Sequence, residues 1–226
     1  MTADFVAAIR LDVGRISGAT TSSIRSVRRR YSRTLADESA DLILDIADKL
    51  FADGNWSARQ IACELVVARR DAVRRLNGSM VDAWSRGFAD WGSIDMYGVT
   101  VAGAAWREGR VSDARVARWA RSTDRWRRRL ALVATVPLNS RARGGEGDTA
   151  RTLGVCRMLV DDRDDMVVKA LSWALRELAK RDPKSVKRFL QRFDARLPAR
   201  VRREVRTKLE TGRKARPRTE SPETDR

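Results

Sequence analysis

Histidine is absent from all 226 positions of this chain. Imidazole general bases, His-containing triads and His metal ligands are therefore excluded. Cysteine is nearly absent. Cys63 and Cys156 lie 93 positions apart, form no Cys-x-x-Cys pair and sit in helical-looking stretches. They read as buried free thiols of a reducing compartment, and no metal or other cofactor is expected. Long apolar runs are missing too, so no membrane span or membrane partner is expected and the chain reads as cytoplasmic. Period-2 alternation is not found, which leaves no candidate strands. Any chemistry falls to carboxylates, Arg, Tyr and Trp.

What is abundant is positive charge, with 47 basic against 30 acidic residues, a net +17. Phosphate polyanions are the partner class that such a balance suits. Only 7 of the 47 are Lys. The Arg excess suits the fork geometry of phosphate recognition and also fits a coding bias.

Apolar spacing divides the chain into about a dozen amphipathic segments joined by short polar turns. Helices are predicted near 2–12, 22–35, 42–51, 57–68, 81–88, 93–105, 112–121, 123–136, 149–160, 164–181, 183–192 and 198–211, with a Gly-rich loop over 141–147. Their pairing at intervals of roughly 30 to 45 residues points to an all-α solenoid of HEAT-like helix hairpins over 1–211. Residues 212–226, GRKARPRTESPETDR, are nearly devoid of apolar side chains and read as a disordered basic tail. Nothing demands more than a monomer.

Three places stand out. In Phe88–Tyr97, Gly92 or Ser93 can cap a helix whose apolar stripe is Ile94, Tyr97, Gly98, Val101 and Ala105. Asp95 falls in its first turn, at the edge of the buried face, where it is open to a cleft. The plainer reading is a dipole-favoured acid with Trp91 as a staple. In the segment with Trp126, Arg127, Arg128 and Arg129, only Arg129 projects onto the flank of the apolar face, while Arg127 and Arg128 can reach solvent. Arg129 then needs a partner, either Asp95 or a DNA phosphate, unless its stem merely snorkels. In the helix after Met166, Trp173 points well away from the apolar face and stands with Lys169, Arg176 and Lys180. An indole among cations is what a nucleic-acid groove uses.

Together the patterns Trp91-x-x-x-Asp95, Trp126-x-x-Arg129 and Lys169-Ala-Leu-Ser-Trp173-Ala-Leu-Arg176-Glu with Asp182-Pro183 resemble the DNA alkylation repair glycosylases of the AlkD type. The resemblance spans about residues 20 to 210 and is strongest over 164 to 190. It implies a superhelix with a concave basic face that holds duplex DNA containing alkylated purines, and excision of cationic N3- or N7-alkylated purines without a flipping pocket. It further implies Asp95 as the catalytic carboxylate, Trp91 and Trp173 at the damaged nucleotide and Arg129 at the backbone. Trp126, Arg127, Arg128, Lys169, Arg176 and Lys180 are the expected further DNA contacts. The rival readings are a HEAT-like nucleic-acid-binding protein without catalysis and a protein-interaction solenoid.

Overall fold

The computed structural model describes residues 1–16 and 20–213. Among these residues the regular structure is helical throughout, with no strand. The helices form two layers, and contacts between successive helices define the order of the first.

One layer runs α2 (Thr21–Thr34), α4 (Trp56–Ala68), α7 (Trp91–Tyr97), α10 (Arg125–Val133), α13 (Asp165–Leu178) and α15 (Ala199–Thr211), each packed on the next. Behind it stand α1 (Thr2–Gly14), α3 (Ala40–Ala52), α6 (Gly78–Trp84), α9 (Asp113–Ala120), α12 (Thr149–Met158) and α14 (Pro183–Arg192). Of these, α3 backs α4, α9 backs α10, α12 backs α13, and α14 backs α15. Short connectors are α5 (Arg70–Arg75), α8 (Gly103–Arg107), α11 (Val136–Asn139) and a 3-10 turn at Arg141–Arg143.

Most helices start where a side chain caps them. Ser39, Asn55, Asn77, Asp90, Ser112, Asp148, Asp164 and Asp182 each accept a bond from a backbone N–H of the first turn. The last helix ends at Gly212, whose φ of 71° is left-handed, the geometry glycine adopts without strain. The expected tail lies, apart from Gly212 and Arg213, outside the described residues.

Ion pairs repeat with the same stride as the helix pairs. Arg115–Asp82, Arg129–Asp95, Arg128–Asp162, Arg200–Asp165 and Arg28–Glu64 are separated by 33 to 36 positions. Four of them join two helices, and Arg128–Asp162 ties α10 to the connection between α12 and α13, so charge as well as apolar packing holds neighbouring helices together.

Four local departures from the expected helices have physical reasons. The polar stretch at Asn77-Gly78-Ser79 is a cap and not a break, since the Asn77 side chain holds the N–H groups of Ser79 and Met80. The chain after Ala68 is not loop, because α5 buries Ala72 and Val73 on fewer than two turns, too short to show periodicity. The segment read as helix over 123–136 stops at Val133, and Pro137 opens α11 near its first position, where no N–H is needed. Finally, α7 runs into α8 through a π-helical turn, Gly98–Ala102, inside what the spacing predicts as one regular helix.

That π turn packs where backbone meets backbone. A Cβ on Gly103 would lie 2.1 Å from Cγ of Pro137 and 2.9 Å from the carbonyl oxygen of Ala134. Gly103→Ala should therefore lower stability by about 1–3 kcal/mol through overpacking. A urea midpoint shifted by that amount at unchanged m-value checks it, while the unaltered midpoint would show that α8 and α11 can separate without cost.

Candidate active site

The helix at the centre of the site begins one step earlier than its sequence suggests. Asp90, and not Gly92 or Ser93, is the cap, accepting a 2.8 Å bond from the Ser93 N–H. Trp91 is thus the first residue of α7, and Asp95 lies beyond the first turn. The dipole-complementing acid is Asp90, so the dipole gives no reason for a carboxylate at Asp95.

Tyr97 fixes the rotation of α7. Its ring meets Phe51 and Phe88 edge-on at 5.6 and 5.5 Å, and its buried hydroxyl donates to the carbonyl of Val81 at 2.8 Å. With Ile94 and Tyr97 inside, Trp91 and Asp95 are turned toward α10 and α13.

There Arg129 meets Asp95. Its Nε donates to Oδ1 at 2.8 Å and its Nη2 to Oδ2 at 2.6 Å, a bidentate pair. A third donor, Nη1, reaches the carbonyl of Met166 on α13. Arg129 is 5% exposed and needs these acceptors. Of the partners open to it, the structure contains Asp95. Burial pushes the Asp95 carboxyl above its ordinary pKa, Arg129 pulls it down by hydrogen bonding and charge, and Asp90 adds a smaller upward push, leaving a net rise.

Around this pair opens a cleft of about 530 Å³, lined by Trp91, Asp95, Arg129, Met166, Lys169, Trp173, Arg176, Arg200 and Glu204. The two indoles therefore face one space, with the carboxylate between the helices that carry them. Trp91 is 61% exposed, unusual for so large an apolar ring.

The seven tryptophans divide by their indole N–H. Those of Trp84, Trp106 and Trp119 are each bonded to a carboxylate, of Asp48, Asp113 and Asp82. These three are structural, with the ring buried and the polar tip satisfied. Among the described residues, Trp56, Trp91, Trp126 and Trp173 make no such bond.

The remaining expected contacts divide likewise. Lys169 lines the cleft and pairs with Asp165 at 2.6 Å, and Lys169 holds that carboxyl below its usual value. Arg176 lines it too, with its pKa lowered by burial and its Nε 3.2 Å from the Ser172 hydroxyl. Lys180 lies outside the cleft lining and is paired with Glu177 at 2.7 Å. Trp126 is under the Arg125 guanidinium at 4.9 Å, also outside that lining.

Arg127 and Arg128 do not extend freely into solvent as their helix positions suggest. Arg127 bonds the Ser85 hydroxyl at 2.8 Å, and Arg128 bonds Asp162 at 2.6 Å and the Thr123 carbonyl at 2.8 Å. Both tie α10 to its surroundings. Conversely, Met166, Arg200 and Glu204 are cleft residues that sequence reasoning did not select. Glu204, held by the Ser172 hydroxyl at 2.7 Å, carried no signal beyond its place in an amphipathic helix.

Comparison with known proteins identifies the family. The family model described as "DNA alkylation repair enzyme" matches residues 2–209. The chain belongs to that family. The match takes in residues 2–19, which the resemblance in sequence motifs did not reach. No curated protein and no solved structure is matched. Family membership makes DNA the substrate class. No helix among the described residues is long and apolar enough to cross a membrane.

Cys63 and Cys156 are buried and unbridged, and burial pushes the Cys63 thiol up to about 12, so it is no nucleophile at neutral pH.

Breaking the central pair on one side should cost stability. Arg129→Ala leaves Asp95 half-buried and unpartnered and should lose about 3 kcal/mol, whereas Arg129→Met combined with Asp95→Leu should recover most of it. Denaturant melts of both variants test this. A single variant within about 0.5 kcal/mol of wild type would mean that solvent already compensates the pair.

Proposed function

We propose that this member of the DNA alkylation repair family is a glycosylase that hydrolyses the N-glycosidic bond of cationic N3- or N7-alkylated purines in duplex DNA. The observation that carries the reading is the grouping of Asp95, Trp91 and Trp173 on one cleft, with Arg129 holding the carboxylate from behind.

An N3- or N7-alkylated purine bears a positive charge while still bonded to the sugar, and it leaves as a neutral base. Departure therefore needs no general acid, which suits a chain without histidine. The barrier lies in the sugar, which turns oxocarbenium-like as the bond lengthens. An ionised Asp95 stabilises that charge electrostatically from a fixed position. Arg129 occupies two of about four lone-pair sites on the carboxylate, and the others remain to face the sugar and to orient water. The faces of Trp91 and Trp173 attract the cationic nucleoside, worth about 0.5–2 kcal/mol each. Lys169, Arg176 and Arg200 on the same wall suit the flanking phosphates. The carboxylate acts on the sugar, so the base need not enter a pocket.

The wider frame of this reading is a HEAT-like solenoid, in which the layer α2–α4–α7–α10–α13–α15 is the concave, basic, DNA-facing side. The two-layer order and the ion pairs recurring every 33 to 36 positions support it. A rival, DNA binding without catalysis, shares the salt dependence and differs in turnover alone.

Asp95→Asn should lower release of 7-methylguanine from methylated duplex DNA by about 10²- to 10³-fold and leave affinity for undamaged duplex nearly unchanged. Chromatography of freed bases checks it, and equal release by wild type and variant would remove Asp95 from the mechanism. Release should also fail in acid at a pH above the ordinary carboxylate value of 3.8, because burial raises the Asp95 pKa and protonation removes its charge. For the fold the sign is opposite. Protonated Asp95 favours the folded state, and that contribution is lost as pH rises through the raised pKa. A pH profile of single-turnover release whose acid limb lies at or below 3.8 would contradict the first statement.

A further inference from the structure

The cleft that holds Asp95 is crowded with cations. Lys169 and Arg176 from α13 and Arg200 from α15 line it beside Arg129, and the carboxylates in the same lining are Asp95 and Glu204. From α4 and the π turn, which also pack on α7, no charged side chain joins the lining. Asp90, at the start of α7, adds a weaker negative field.

Arg129 takes two of about four lone-pair sites on the Asp95 carboxylate, and the others stay open. In a partly desolvated cleft, a further cation reaching them would form a charge-assisted bond and offset the charge that Asp95 presents. Three such cations stand on the same walls. Yet the bonds to Asp95 come from Arg129, which is also the cation that lowers its pKa.

Each of the other three is held by a different carboxylate. Lys169 pairs with Asp165 at 2.6 Å, and Nη1 of Arg200 donates to that same carboxylate at 2.9 Å. Arg176 is held through α15. Its Nε bonds the Ser172 hydroxyl at 3.2 Å, that hydroxyl donates to Oε2 of Glu204 at 2.7 Å, and Nε itself lies 3.7 Å from the same oxygen. Oε1 of Glu204 is 3.7 Å from Nε of Arg200, so Arg200 has two holders. Among the described residues, the carboxylate paired with Arg176 is Glu204. Asp165 is exposed, whereas Glu204 is half-buried where α15 packs on α13, so water and salt screen the hold of Glu204 less.

We propose that Glu204 is a positioning residue that keeps Arg176 off Asp95, and that Asp165 does the same for Lys169, so that the open side of the Asp95 carboxylate keeps its charge for the substrate. Glu204 touches no reacting atom and acts through Arg176. That the charge serves a sugar turning cationic rests on the function proposed above, whereas the holding of the cations rests on the cleft geometry alone.

Titration of the Asp95 side-chain carboxyl by carbon-13 NMR reads the holding without turnover. In Glu204→Gln the released Arg176 should pair with Asp95 and lower its pKa by about one pH unit, because an added cation favours the ionised form. Asp165→Asn alters an exposed side chain, should lower the value through Lys169, and serves if Glu204→Gln folds poorly. Adding Arg176→Gln to Glu204→Gln should return the pKa toward wild type, which loss of a merely structural tie between α13 and α15 would not do. Asp161→Asn releases Arg196 outside the cleft and is the charge-matched control, expected to leave Asp95 unchanged. An Asp95 pKa equal to wild type in folded Glu204→Gln and in Asp165→Asn would overturn the proposal. Release of 7-methylguanine from methylated duplex is the second arm. Glu204→Gln should release about tenfold more slowly at neutral pH, with the acid limb of its pH profile moved down. A lowered pKa with release equal to wild type would leave the holding in place and remove the Asp95 charge from the mechanism.

Discussion

The bidentate bond between Asp95 and Arg129 is the constraint on which the central cleft depends. It joins α7 to α10, and a third donor from the same guanidinium joins α10 to α13, so one side chain sets three helices in register. Desolvation opposes such a pair as strongly as Coulomb attraction favours it. The net upward shift of the Asp95 pKa records that opposition, since two hydrogen bonds from a cation do not undo the burial. A carboxylate held this way is costly to ionise and has lone pairs to spare, and an approaching cation relieves the cost. In the proposed reaction, a sugar acquiring positive charge would be such a cation.

The fold was legible wherever a helix carried its own apolar face and cap. Helices α3, α4, α9, α12, α13, α14 and α15 fall within a few residues of the spacing-based assignments, because Ile43, Ile46 and Leu50, or Val167, Leu171, Ala174 and Leu178, mark one face every three or four positions. What escaped was set by tertiary packing. The π turn at Gly98–Ala102 leaves Gly98, Val101 and Ala105 all buried, so the stripe that suggested a regular helix survives the irregularity and hides it. The six residues of α5 make fewer than two turns, too few for a repeating stripe to announce it.

The site was legible in its members more than in its arrangement. The need of Arg129 for a partner follows from helix position, whereas the sequence also allowed Trp91, here 61% exposed, to be a staple, and the choice between Asp95 and a phosphate depends on how α7 and α10 cross. The same crossing explains why Arg127 and Arg128, adjacent to Arg129, tie α10 to α6 and to the α12–α13 connection rather than standing free. Glu204 and Arg200 come to the cleft only because α15 packs on α13. No local pattern separates them from the solvated charges of any amphipathic helix.

Net charge is a poor guide to where such a protein meets a polyanion. Many of its arginines are already engaged: Arg69 binds Asp71 and the carbonyls of Leu35, Ala36 and Glu38, Arg128 binds Asp162, and Arg196 binds Asp161. These cations stabilise loops and helix ends, and an external phosphate would have to displace a carboxylate or a carbonyl to reach them. A coding bias toward arginine fits such uses well enough. It does not explain the indoles of Trp91 and Trp173, which line one cleft and whose N–H groups bond no carboxylate among the described residues. In the cleft, too, Arg129, Lys169, Arg176 and Arg200 each have a carboxylate partner, so its character is set by the indoles and the Asp95 carboxylate more than by an excess of charge.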